Sequence, residues 1–383
     1  MKSYAQIVGW GRYVPSRVMT NHDLARMVDT SDEWIRSRTG ITERHIAGPR
    51  ESTSTMGVRA ALAALEVADL NPSKLDLVIL ATITPDYGVS ATASLLQDGI
   101  GATRAGAFDL NAGCSGFVYA LAVASRLIES GAHRNVLVVG SDAVSRIIDW
   151  TDRSTCVLFG DGAGAVVLQA SENATGLLSC TLGSDGSGAE SLYVPAGGAR
   201  LPASLETLQN RQHYIKMNGN EVFRFAVHAM TRATMQVVID AGLQPSEVDL
   251  FIPHQANVRI IQAAAKALRL PDEKVFINVD RYGNTSAASI PIALCEAIEQ
   301  GRVKPGDRLA LVGFGAGLSW AAVVLQWGVP AVGPERPWWR YVLQSLWERE
   351  AVARSFARRT RRRIEGLRRS NGHENGHAQG LRS

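Results

Sequence analysis

The chain repeats itself at a fixed distance. NPSKLDLVIL at 71–80 is echoed by QPSEVDLFIP at 244–253, and RNVLVVG at 134–140 by DRLALVG at 307–313. Asn111, at the head of one turn of small residues, is matched by Asn284 at the head of another; all three pairs are 173 residues apart. One offset shared by three separate segments implies that a single supersecondary unit occurs twice. FGDGAGAVVLQ at 159–169 against GFGAGLSWAAVVLQ at 313–326 extends the echo.

Each half reads in the same order. A helical segment (AALAALEVADL; later TMQVVIDAGL) leads into a P-S-x-x-D turn and a buried strand. A turn of small residues then feeds a helix, an apolar β-rich run follows, and a Gly-rich turn leads to a last strand. Unbroken apolar strands alternating with helices imply sheets covered on both faces. The expected architecture is a duplicated α/β fold in five layers, αβαβα. The polar turn SENATG places the boundary near 172, giving halves 1–172 and 173–329. Beyond them, 330–369 reads as a basic Trp/Arg-rich helical extension and 370–383 as a disordered polar tail.

Charge separates that extension from the body. The net charge is +4 over 383 residues, but residues 331–383 hold 12 Arg and 5 Glu, which leaves the body at −3. A mildly acidic body argues against nucleic-acid binding. Pro330, Pro334 and Pro337 make a stiff linker, and Trp339, Val342, Leu343, Leu346 and Ala353 fall roughly on one helical face. A helix over 338–369 reads either as a solvated or body-docked helix or, since it bears Trp and Arg, as a contact for an anionic membrane surface or an acidic partner. The start of the chain lacks the apolar core of a signal peptide, and no apolar run approaches a membrane span. Four cysteines, Cys114, Cys156, Cys180 and Cys295, form no CxxC pair. A disulfide framework or metal site is therefore not expected, and a cytoplasmic setting is.

Three residues stand at strand-to-helix junctions. Cys114, in NAGCSGF, sits at the start of a helix, where free backbone N–H groups and the helix dipole favour a thiolate. His254, in FIPHQAN, ends a strand, and Asn284, in RYGNTSAAS, precedes its own helix. Each alone is equally readable as packing or capping. Together they suit acyl transfer: a thiolate accepts an acyl group, while two neutral N–H donors hold a thioester oxygen as an enolate forms. The backbone N–H of Cys114 and one from GFGAG, at Ala316, could cradle an acyl oxyanion. A Cys/His/Asn protease is the rival on the same residues.

Over residues 4–328 the chain resembles β-ketoacyl-acyl-carrier-protein synthase III, of the thiolase superfamily. TSDEWIRSRTGITERHI, NAGCSGF, FGDGAGAVVL, PHQANVRI, RYGNTSAASIP and GFGAGLSW carry the resemblance in order. It implies a thiolase-like fold and a cytoplasmic homodimer, an acyltransferase that starts fatty-acid chains without metal or prosthetic group. An acyl-CoA primer would load Cys114. Malonyl-ACP would then decarboxylate, with His254 and Asn284 stabilising the enolate, and attack would give 3-oxoacyl-ACP, CO2 and CoA. The resemblance further implies CoA or pantetheine contacts at Trp34, Arg38, Arg153 and Asn257. Phe159 and Val89 would shape the acyl pocket, Val89 across the dimer. Arg224, Arg259 and Lys266 would receive the acidic acyl carrier protein. The chain departs from the family at Ala316, where glycine is more usual, and at Val89-Ser90, where many members have Phe-Pro. Losing that ring should open space for primers longer or more branched than acetyl. A related acyltransferase of secondary metabolism, or a type III polyketide synthase-like enzyme using another acceptor, is the alternative.

Overall fold

The computed structural model describes residues 3–329 and, beyond them, Ala353, Ala357 and Thr360. Apart from those three residues, the expected basic extension and polar tail lie outside the described residues. The elements that build the site run in chain order as β1 (Tyr4–Tyr13), α1 (Asp32–Thr39), α2 (Thr53–Val67), β2 (Leu77–Ala81), α3 (Thr92–Ile100) and β3 (Gly106–Leu110). There follow α4 (Gly116–Glu129), β4 (Asn135–Asp142), β5 (Gly162–Ser171), β6 (Gly176–Ser184) and α5 (Gly219–Asp240). The last are β7 (Leu250–Pro253), α6 (Val258–Ala267), α7 (Ser289–Glu299), β8 (Arg308–Gly315) and β9 (Ser319–Gln326).

The strands form two main sheets, ordered β1-β5-β4-β2-β3 and β7-β8-β9-β6. The second order, read backwards, is the first with each strand replaced by its repeat. The parallel pair β2/β4 recurs as β7/β8, and the antiparallel pair β4/β5 recurs as β8/β9. One strand is not repeated in full. Where β3 lies beside β2, the second sheet has only an isolated bridge between Phe251 and Val275.

Alternation along the strands assigns the layers, because successive strand residues face opposite ways. Val78 and Leu80 pack with Met56, Ala60 and Leu96 from α2 and α3, whereas Ile79 and Ala81 pack with Phe117, Leu121 and Ile290 from α4 and α7. In the second sheet, Leu309 and Leu311 face that same middle layer, and Ala310 and Val312 face Val222, Ala226 and Ile260 on α5 and α6. The result is the five-layer αβαβα sandwich, with α4 and α7 shared between the sheets. Their burial explains their sequences. Every residue of α7 from Ser289 to Ile298 is buried, so the helix carries no polar stripe.

The layers meet at backbone contacts that exclude side chains. A β-carbon on Gly9 would lie 2.2 Å from Ala64 O, and one on Gly11 would lie 2.4 Å from Ala60 O, both on α2. Gly11→Ala should therefore cost about 1–3 kcal/mol through overpacking. The urea midpoint would fall while its slope stays unchanged. Gly88, which meets nothing within 4 Å, is the control. Its alanine variant should move stability by less than about 0.5 kcal/mol. Equal midpoints for the two variants would contradict the packing.

Candidate active site

Cys114 lies in the turn between β3 and α4, two residues ahead of the first helical residue. The turn is built by Asn111, whose side-chain oxygen accepts from the Gly113 N–H at 3.2 Å. The equivalent turn of the second half uses the same device: Asn284 Oδ1 accepts from the Ser286 N–H at 2.9 Å. These are Asx turns, which local Asn side chains favour. Gly113 has φ +56, a conformation that a side chain would strain.

The loop after β8 presses onto this turn. A β-carbon on Gly315 would sit 2.4 Å from Cys114 N, and one on Gly113 would sit 2.7 Å from Ala316 N. The backbone nitrogens of Cys114 and Ala316 thus belong to one crossing of two turns. Hydroxyls pin the crossing. Ser319 Oγ lies within hydrogen-bond distance of Ala112 O at 2.7 Å, Ala316 O at 2.9 Å and Ser115 Oγ at 2.9 Å, and its one proton goes to one of these acceptors. Neither serine was singled out from the sequence, although both stand inside the motifs quoted above. Their signal is a pattern of hydroxyls beside glycines, which has no periodicity to read.

The environment of the sulfur differs from the expectation. Cys114 is buried, and burial pushes its thiol up to about 12. A hydrogen bond from Ser286 Oγ at 3.4 Å opposes the shift, and the Asp142 carboxylate adds to it. The resting group is therefore a neutral thiol, not the thiolate predicted from its place at a helix start. Desolvation outweighs the helix end because sulfur lies among Phe314, Phe159 and other apolar walls of one cavity. Asp142 is itself buried and raised by burial. Donors that include Thr82 Oγ1 and the N–H groups of Ile83 and Ala287 pull it back.

His254 follows β7 directly and packs edge-on against Phe314, with ring centroids 5.1 Å apart. Its Nδ1 lies 2.6 Å from Ser289 Oγ, the first residue of α7. Burial alone pushes the imidazole down to about 3, so the ring is neutral. Asn284 is held by its oxygen to Ser286 and by its backbone N–H, which donates to Leu158 O at 2.8 Å. With the oxygen so tied, the amide group Nδ2 faces away from that bond. Among the described residues no group accepts from Asn284 Nδ2, and none bonds His254 Nε2.

One cavity of about 270 Å³ collects these groups. Cys114, His254, Asn284, Phe159 and Gly315 line it, with Trp34, Arg38 and Asn257 toward the opposite elements. Trp34 on α1 is flanked by two guanidinium groups, Arg38 at 5.5 Å and Arg153 at 5.0 Å from the ring centroid. Arg153 also pairs with Asp29 at 3.5 Å. Asn257 caps α6 through the Arg259 N–H and donates to Arg38 O at 3.1 Å, which ties α6 to α1. Apolar walls come from Leu192, Met217, Val222, Phe223 and Ile260. The first two belong to the link between β6 and α5, a stretch with no repeat or motif in the sequence to mark it.

Two sets of residues stand outside the cavity. Arg224, Arg259 and Lys266 are exposed on the neighbouring helices α5 and α6, with Arg259 over the ring of Phe223 at 5.8 Å. Val89 is wholly exposed and does not line this chain's own cavity. All four cysteines are free. Among the described residues there is no cluster of three metal-binding side chains, and no helix long and apolar enough to cross a membrane.

Comparison with known proteins gives a consistent result. The pattern of the family described as 3-oxoacyl-[acyl-carrier-protein] synthase III matches residues 108–186, and that of its C-terminal part matches 238–327. A protein of Roseiflexus sp. (strain RS-1) named beta-ketoacyl-[acyl-carrier-protein] synthase III is 56% identical over 327 residues, covering 85% of this chain and 99% of that one. The crystal structure of 3-oxoacyl-[acyl-carrier-protein] synthase III from Aquifex aeolicus VF5 is 49% identical, with a TM-score of 0.79, covering 84% of this chain and 100% of that one. The corresponding structure from Thermus thermophilus is 50% identical, also with a TM-score of 0.79, covering 84% and 99%.

The charge states of the site are directly measurable. Burial disfavours the charged form of each group, so His254 should stay neutral from pH 8 down to pH 4.5. Its ring resonances, assigned with His254→Asn, should not titrate in NMR over that range. Alkylation of Cys114 by iodoacetamide should rise about ten-fold per pH unit between pH 7 and 9.5 without a plateau, as expected for a thiol ionising near 12. A histidine midpoint near 6.5, or a plateau in alkylation below pH 9, would contradict the buried, neutral pair.

Proposed function

The chain belongs to the 3-oxoacyl-[acyl-carrier-protein] synthase III family, acyltransferases that condense two thioesters to start fatty-acid chains, and on that premise we propose a division of labour among its residues. Cys114 is the acyl carrier. Its sulfur attacks the carbonyl of an acyl-CoA, the carbon–sulfur bond to CoA breaks, and the cysteine proton ends on the departing CoA sulfur. The step therefore needs no net base, which suits a thiol that burial keeps neutral. The N–H groups of Cys114 and Ala316 receive the carbonyl oxygen as it becomes negative. Alanine in place of glycine at 316 keeps that donor.

Malonyl-ACP then enters the emptied tunnel. Its carbon–carboxylate bond breaks, CO2 leaves, and the electron pair moves onto the thioester oxygen. His254 Nε2–H and Asn284 Nδ2–H hold that enolate oxygen. The enolate carbon attacks the acyl group on Cys114, the bond to sulfur breaks to leave a thiolate, and that thiolate takes up one proton from water as 3-oxoacyl-ACP leaves. The observation that carries this reading is that Cys114, His254 and Asn284 line one cavity, with no described group occupying either nitrogen. The steps balance with side chains, the two thioesters and one proton from water, so no cofactor is assigned.

Trp34, Arg38, Arg153 and Asn257 lie where the CoA or pantetheine arm would enter, and Arg224, Arg259 and Lys266 form the docking patch for an acidic carrier protein. The working unit is a cytoplasmic homodimer. β3 is an open sheet edge, and Phe108 on it is 38% exposed, an edge that a second copy would cover. In that dimer Val89 would reach the partner's acyl pocket. Residues 1–172 and 173–329 act as two halves around the shared site. The alternative, a polyketide-type enzyme with another acceptor, is not favoured: relatives at 51–56% identity bear the name beta-ketoacyl-[acyl-carrier-protein] synthase III.

Intact-protein mass spectrometry after mixing with a panel of acyl-CoAs tests the carrier. The protein should gain one acyl mass and Cys114→Ala should gain none. With Val89 in place of an aromatic ring, branched and four- to six-carbon primers should load at rates within about ten-fold of acetyl. Loading confined to acetyl would contradict the wide pocket, and equal loading of Cys114→Ala would contradict the carrier.

A further inference from the structure

His254 can serve as an enolate donor only if its proton is on Nε2, and a neutral imidazole carries one proton on either nitrogen. What fixes the tautomer is the partner of Nδ1. Here that partner is a hydroxyl, which can donate or accept, so the choice rests on the rest of that hydroxyl's hydrogen bonds.

Ser289 Oγ has two described neighbours: His254 Nδ1 at 2.6 Å and the backbone nitrogen of Gln255 at 3.4 Å. The Gln255 N–H can only donate, so Ser289 Oγ accepts there. If Nδ1 also carried hydrogen, two donors would point at this oxygen, and the serine's own proton would have no described acceptor. Ser289 is 2% exposed, so that proton would be left unpaired in a dry site, an arrangement that buried polar groups avoid. With the proton on Nε2, all three groups are satisfied: Gln255 N–H donates to Ser289 Oγ, and Ser289 O–H donates to Nδ1. Nearby backbone offers Nδ1 no substitute, because the Ala256 N–H donates to His254 O at 3.1 Å.

We infer that Ser289 is a positioning residue for the condensation step, whose hydroxyl fixes His254 as the Nε2–H tautomer and so aims a hydrogen-bond donor into the cavity. The inference rests on the role given to His254 above. The repeat shows how the contact arose. At the common offset of 173 residues, His254 corresponds to Ala81 and Ser289 to Gly116. In the first half those positions also meet, as plain packing: a β-carbon on Gly116 would lie 3.2 Å from Ala81 Cβ. The second half has the same strand-end-to-helix contact with a hydrogen-bonding pair in place of two small residues. The helix that bears Ser289 is the middle-layer partner of the helix that follows Cys114, so one packed layer orients both stations of the site.

Ser289→Ala and Ser289→Thr test this with three readouts on the full chain. In wild type, 15N spectra of the labelled imidazole should show hydrogen on Nε2. Ser289→Ala should shift the ring toward the other tautomer or a mixture. CO2 release from malonyl-ACP should fall about ten- to hundred-fold in kcat with KM within about three-fold, as for partial loss of one oxyanion donor. Loading of Cys114 by acyl-CoA should be unchanged, and Ser289→Thr, which keeps a hydroxyl, should restore decarboxylation. Wild-type hydrogen on Nδ1 would overturn the inference, as would a wild-type decarboxylation rate in a folded Ser289→Ala. If Ser289→Ala fails to fold, the wild-type spectrum and the threonine variant still decide. If wild type neither loads nor decarboxylates, the reaction assigned above fails, while the tautomer is still read from the spectrum.

Discussion

Two backbone turns, one from each half of the repeat, approach so closely that no β-carbon fits between them. Gly113 lies against Ala316, and Gly315 lies against Cys114. The same constraint recurs behind the site, where a β-carbon on Gly140 would sit 2.3 Å from Ala287 O. Everything functional hangs on these approaches. They bring the sulfur and two backbone donors together and close the rear of the cavity. They also set α4 and α7 side by side in the middle layer. Neither half could build the site alone, since the sulfur comes from one and both side-chain N–H donors come from the other.

Burial then determines what the chemistry can be. A dry cavity raises the thiol and lowers the imidazole, so the resting site holds two neutral groups and not an ion pair. That separates it from a protease-like thiolate–imidazolium arrangement, the rival reading of the same residues. A neutral imidazole with its proton held on Nε2 is a donor at every physiological pH. Electrostatic stabilisation of an enolate needs such a donor, placed in advance and screened by little water. The positive groups of this region, Arg38 and Arg153 beside Trp34 and the arginines of α5 and α6, stand at the outer parts of the cavity or on the surface, where charge is hydrated and can meet an anionic ligand.

Much of this was legible in the sequence. The offset of 173 predicted two equivalent sheets, and unbroken apolar strands predicted helices on both faces. Cys114, His254 and Asn284 were legible because each stands at a strand-to-helix junction, where turn chemistry interrupts a periodic pattern. What was not legible was everything that depends on depth. A helix start suggested a thiolate for Cys114, yet the sulfur is desolvated by residues as distant in sequence as Phe314. Ser115, Ser286, Ser289 and Ser319 were ordinary small residues of a turn until their partners were visible. Leu192 and Met217, in a link with no repeat to mark it, supply cavity walls that periodicity does not reveal.

The central claim is that one cavity holds two separable stations, a sulfur that carries the acyl group and a pair of N–H donors that hold the enolate. The most direct test measures acyl loading and CO2 release side by side in Cys114→Ala, His254→Ala and Asn284→Ala. Cys114→Ala should release CO2 from malonyl-ACP but take no acyl group. The other two should take the acyl group and lose CO2 release by about a hundred-fold or more. Loss of both activities together in every variant would contradict the division. So would loss of CO2 release in Cys114→Ala alone.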